Sequence, residues 1–139
     1  YNPRNLPDNI LHQIAWMNGV VGVYTLTFGL HPSENGSDPF ITHLRHALRT
    51  CGVEHVVLGT DGVYTMQGIE DWQAHHEFMI ANVPNAKEMR ARWPDQPPVL
   101  NCPERMEMIQ SMLIGRGFFR DEIYRVMGRN FLEFLRRSL

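Results

Sequence analysis

Two short apolar runs, "VVGVYTLTF" at 20–28 and "HVVLGTDG" at 55–62, are the only stretches of this chain that read as strands, and that scarcity constrains its fold most. Val20, Val21, Val23 and Tyr24 are good β-formers, and Val56, Val57 and Leu58 run without polar interruption into Gly59 and Thr60. A short apolar run bounded by turn residues is the pattern of a strand buried in a parallel sheet. The segment between the two runs carries a helix pattern, so a right-handed crossover joining parallel strands is the natural reading, and the class is α/β. Two strands do not make a stable parallel sheet by themselves, because each needs neighbours on its edges and helices on its faces. The pattern asks for more sheet than 139 residues supply.

Helix signals fill the rest. Over 5–18, Asn5 can cap, Pro7 suits the first turn, Asp8 favours the positive end of the dipole, and Ile10, Leu11, Ile14 and Ala15 share a face that Gly19 ends. After the loop "GLHPSENGSD", Asp38-Pro39 starts a second helix with Phe40, Ile41, Leu44 and Leu48 inward and Gly52 as its stop. Residues 72–83 read as a third. The segment 84–103 carries Pro84, Pro94, Pro97, Pro98 and Pro103 and reads as an excursion. Pro103 opens a helix with Met106, Ile109, Met112 and Leu113 inward and Gly117 past its end. Asp121 to Met127 makes another, and "NFLEFLRRSL" closes the chain as an amphipathic helix capped by Asn130. The whole is expected to be a single region with a Pro-rich insertion.

Composition excludes several roles. A formal charge of −2 offers no basic excess to neutralise phosphates, which argues against nucleic acid as a partner. No apolar run approaches the roughly 18 residues of a membrane span, and no signal-peptide pattern leads the sequence. Cys51 and Cys102 lack metal or redox spacing and are expected as unpaired buried thiols, which favours a soluble protein of a reducing, cytoplasmic compartment. The opening "YNPRNLPDN" has no initiator Met and no polar tail, so a fragment of something longer is expected.

Asp61 is the leading candidate for chemistry. A carboxylate at the carboxyl end of a buried strand can accept a proton or bind a metal, and "TDG" is also ordinary turn chemistry. Arg4 is either a fork for a substrate carboxylate or a surface arginine. His43 and His46 flank the inward Leu44 and suit solvent or helix packing. His75 and His76 point about 100° apart on a helix, and His55 opens its strand at the end opposite Asp61. The methionines fall mostly at inward helical spacing, as core filler. No G-x-S-x-G, Walker loop, CxxC or H-E-x-x-H is present.

In combination, "PRNLPDNILHQIAWMNGVVGVY", "THLRHALRTCGVEHVVLGTDG" and "GRGFFRDEIYRVMGRNFLEFL" resemble the last third of the membrane (renal) dipeptidase family of zinc peptidases, within the metal-dependent amidohydrolase superfamily. The likeness covers about residues 2–63 and 103–136. It implies the C-terminal part of a (β/α)8 TIM-type barrel, comprising its last two strands and terminal helices. It implies a binuclear zinc site at the carboxyl face, with ligands ahead of Tyr1 and no zinc held by the fragment itself. Asp61 falls where the family keeps a catalytic acid/base that takes a proton from the zinc-bridging water and passes it to the leaving amine. Arg4 falls where an arginine grips the C-terminal carboxylate of a dipeptide substrate. The expected partner is the N-terminal part of the barrel or a second copy, and the isolated fragment is expected to be inactive. Three departures stand out: Tyr24 replaces a preferred Asn, the usual D-F-D-G is reduced to Asp61-Gly62, and the excursion at 84–103 is additional. The rival expectations are a non-catalytic interaction module retaining the fold, and another hydrolase of the superfamily, such as a lactonase or deaminase.

Overall fold

The computed structural model describes residues 5–25, 39–60, 69–82 and 103–139. Helix α1 (Asp8–Trp16) begins where Pro7 leaves extended conformation, and the Pro7 carbonyl accepts from the amides of Ile10 and Leu11 at 3.0 and 3.1 Å. The cap expected of Asn5 is not made, because a proline disfavours helical conformation in the residue before it and so sets a later start. The helix ends on Asn18, which takes the left-handed conformation (φ 57°). Its amide bonds to the Ala15 carbonyl at 2.9 Å and that of Gly19 to the Ile14 carbonyl at 2.8 Å, the double closure of a Schellman turn. Gly19 therefore has a different task from the expected stop. A Cβ there would lie 2.9 Å from Ile14 Cγ2 and 3.0 Å from the Ile14 carbonyl oxygen.

Strand β1 (Val21–Tyr24) and strand β2 (Val56–Gly59) pair in parallel, Val21 with Val56 through Tyr24 with Gly59. The crossover between them carries helix α2 (Pro39–Cys51), which ends at Gly52 (φ 86°), followed by a 3-10 turn at Val53–His55. The period-2 alternation of the strands sorts their side chains. Val21, Val23, Val56 and Leu58 pack into the core, whereas Gly22 and Tyr24 are exposed. The expectation of strands buried on both faces is corrected: among the described residues only Val23 and Val56 of the two strands are fully buried.

Helix α2 supplies Phe40, Ile41, Leu44, Ala47 and Cys51 to the same core, packs on α1 and covers β1. Helix α3 (Ile69–Asn82) starts ahead of the expected residue 72. Helix α4 (Arg105–Gly115) buries Ile109 and Leu113, with Met106 and Met112 partly buried beside them. It also buries Arg105, which its apolar pattern gave no reason to expect. Met17 and Met108 are exposed, so the methionines are core filler only in part. Gly117 (φ 75°) closes α4 in a second Schellman turn, in which Phe118 N–H bonds to the Leu113 carbonyl at 3.1 Å. Arg45 of α2 holds this turn by donating to the Arg116 carbonyl at 2.6 Å, with its guanidinium 4.5 Å from the Phe118 ring centre.

The C-terminal elements are nearly one helix. Helix α5 (Arg120–Tyr124) passes through a widened turn (Arg125–Arg129) into helix α6 (Asn130–Ser138). The Asn130 amide reaches back five residues to the Arg125 carbonyl, and Gly128 leaves helical conformation (φ 164°, ψ −32°). Asn130 is therefore not the N-cap expected of it. Its own backbone is helical, and its buried side-chain amide donates instead to the carbonyls of Val53 at 2.6 Å and Val56 at 2.8 Å.

Replacing Asn130 by Leu would leave two carbonyls without donors, each worth about 1–3 kcal/mol when buried. Asn130→Leu is expected to lower stability by about 2–4 kcal/mol. Asn130→Asp should cost more when ionised, because a carboxylate can only accept. Urea unfolding checks both, and a midpoint unchanged in Asn130→Leu would show that the clip contributes nothing.

Candidate functional site

The parallel register gives the sheet two unlike ends. At the amino end, His55 shares a hydrogen bond with the Gly19 carbonyl through Nδ1 at 2.9 Å, and Asn130 occupies the carbonyls of Val53 and Val56. Polar groups there are engaged in closing the fold. His55 lies at this end, as its place before β2 requires.

At the carboxyl end, β1 runs out at Tyr24 and β2 at Gly59, and the next residues are two threonines. Thr25 is buried, at 6% exposure, and its hydroxyl donates to the Thr60 carbonyl at 3.1 Å. Thr60 immediately precedes Asp61 in the chain. The parallel pairing thus brings Thr25 and Thr60 together at the end of the sheet where α/β proteins keep their chemistry. Asp61 and Arg4, the two candidate site residues, lie outside the described residues, as does Cys102. Neither Thr25 nor Thr60 stood out in the sequence, because threonine is ordinary strand material.

The remaining candidates have other duties. His46 Nε2 lies 2.7 Å from Asp8 Oδ1, an exposed pair joining α2 to α1. His43 is half-buried beside Leu44 and His75 is exposed. Cys51 is a free thiol, as expected, and points its sulfur at the Leu11 carbonyl. Burial, and secondarily the charge of Asp8, push its pKa up, so it is held as the unreactive thiol. Among the described residues no group of three or more His, Cys, Asp and Glu is arranged to hold a metal ion, and none of their helices is long and apolar enough to cross a membrane. A binuclear zinc site does not fit the described residues, because zinc needs three or four converging ligands.

A family profile described as membrane dipeptidase (peptidase family M19) matches residues 1–83, more than half of the chain. The match spans α1, both strands, α2 and α3, and the likeness over 103–136 lies beyond it. No solved structure matches the chain.

With His46 paired to Asp8 and His55 to Gly19, the purified 139 residues are expected to hold well below one zinc per chain after dialysis. Elemental analysis giving close to one or two zinc per chain would overturn the assignment of these histidines to packing and solvent.

Proposed function

The chain belongs to the membrane dipeptidase family, and we propose that it is the C-terminal part of a zinc-dependent hydrolase of dipeptides or related small amides. In this reading β1 and β2 are the last two strands of a (β/α)8 barrel, and the segment 84–103 is an insertion. The observation that carries it is the parallel pair inside the family match, whose register ends at Gly59 two residues before a carboxylate. The α2 crossover and the helices packed on one face support the barrel origin.

Asp61 serves as the general acid/base, taking a proton from the attacking water and returning it to the leaving amine. A carboxylate is the group for this step because both proton transfers pass through one site in succession. Arg4 precedes α1 and forks onto the free carboxylate of the dipeptide, for which the planar guanidinium is the best-matched side chain. In this reading the zinc ligands belong to another part of the protein, as the family resemblance implies, and among the described residues no group of three or more His, Cys, Asp and Glu is arranged to hold a metal. The chain alone is then inactive, and its natural partner is the N-terminal part of the barrel or a second copy.

In the complete enzyme, Asp61→Asn is expected to lower kcat on the order of 10²–10⁴-fold while leaving zinc content nearly intact. Steady-state hydrolysis of a dipeptide, with metal analysis of the same sample, checks both. A variant keeping more than half its activity would assign Asp61 to the turn.

The isolated chain is also expected to associate. Its sheet has two unpaired edges among the described residues, and Trp16 (85% exposed) and Phe119 (77%) stand in solvent. Light scattering should give a dimer or larger species. A sharp monomer with cooperative thermal unfolding would show a self-sufficient domain and remove the fragment reading.

A further inference from the structure

We propose that the open face of the sheet carries a slot for a substrate side chain, with Gly22 and Gly59 as its floor and Tyr24 and Val57 as its walls; this rests on the dipeptide-hydrolase reading. Side chains alternate along a strand, so the residues that do not enter the core share the other face. Val21, Val23, Val56 and Leu58 take the core side. The register then sets Gly22 beside Val57 and Tyr24 beside Gly59 on the open side. The two glycines lie on one diagonal of this square, and a Cβ on Gly22 would stand 3.7 Å from the Gly59 Cα. The two side chains lie on the other diagonal, Val57 half-buried and Tyr24 36% exposed. A groove bare of side chains thus crosses the sheet between a phenol ring and a valine.

The strand pair itself does not call for glycine at either position. The left-handed glycines among the described residues are Gly52 and Gly117, so backbone conformation permits other residues at 22 and 59. A Cβ at Gly59 would meet Gly22 atoms at 3.6 Å, and one at Gly22 would meet its nearest neighbour at 3.7 Å, both ordinary contacts. Glycine inside a strand weakens it, and its common meaning there is close approach by a ligand or another backbone. The helices pack on the core side, so in a barrel the open face is the interior. Tyr24 and Gly59 end their strands at the carboxyl mouth of that interior, where barrel enzymes bind their substrates. The four residues of the slot carry no charge and one is aromatic, which suits an apolar or aromatic group. The occupant is therefore a phenylalanine-like side chain of the dipeptide rather than either of its charged ends.

The test uses the complete enzyme and reads a ratio: kcat/KM for Phe-Ala, or for Ala-Phe, divided by that for Ala-Ala. Such a ratio does not depend on how much of a sample is folded and active. In the wild type one of the two ratios is expected to be about tenfold or more. Tyr24→Ala and Gly59→Ala are each expected to lower it by about tenfold, the first by removing a wall and the second by raising the floor. Tyr24→Phe keeps the ring and should keep the ratio near its wild-type value. An unchanged ratio in Tyr24→Ala or in Gly59→Ala overturns the proposal, and is the result if a side chain from elsewhere in the barrel fills the slot. So does Tyr24→Phe behaving as Tyr24→Ala, or a wild type with no preference for phenylalanine at either position. Where an alanine variant is too inactive to give a ratio, Tyr24→Ser or Gly22→Ala replaces it under the same criterion. Failure of the dipeptidase reading appears differently, as a wild type that hydrolyses none of the three dipeptides, and it removes the slot's occupant with it.

Discussion

The buried amide of Asn130 joins the C-terminal helices to the entrance of β2 by two hydrogen bonds, to Val53 and Val56. The rest of the structure depends on that contact. A parallel strand pair needs a helical layer on its face, and part of that layer here comes from a region more than 70 residues further along the chain. Hydrophobic contacts between the 125–129 turn and β2 would allow some sliding, because burial has no direction. Two donors on one rigid amide do not allow it. They set the height of β2 against α5 and α6, and through the register they set the height of β1 as well.

The same contact leaves the Asn130 Oδ1 without a partner among the described residues. An unmatched buried acceptor is costly, and the cost is tolerated because the other half of the amide serves two carbonyls together. Asn130 is a compromise. Its nitrogen is placed for the strand and its oxygen takes what remains.

Much of the fold was legible because its signals are local. Val21, Val23 and Val56 announce strands through β-branching, Gly52 and Gly117 mark left-handed stops, and Phe40, Ile41 and Leu44 show one helical face. The errors arose where a residue answers to something distant. Asn130 looks like a cap because asparagine usually is one, yet its partners lie far back in sequence. Asn5 was a sound cap by type and lost to the constraint Pro7 places on the residue before it. The burial of Arg105 has no local signal either. For the candidate site the division is similar. Asp61 stands out in the sequence as an acid breaking an apolar run but lies outside the described residues, while Thr25, bonded to Thr60, was hidden by being the kind of residue a strand ordinarily contains.

The widened turn at 125–129 acts as a phase adjustment. An α-helix advances about 100° per residue, so one extra residue in the turn swings everything after it by about that angle relative to an unbroken helix. Asn130 meets Val53 and Val56 because this offset has been inserted ahead of it. The segment from Arg120 to Ser138 is accordingly sensitive to count more than to composition. Exchanging an exposed side chain there changes a surface, whereas removing one residue between 125 and 129 turns the amide off the strand. Length, in this helix, is the quantity that holds the C-terminal segment in step with the entrance of β2.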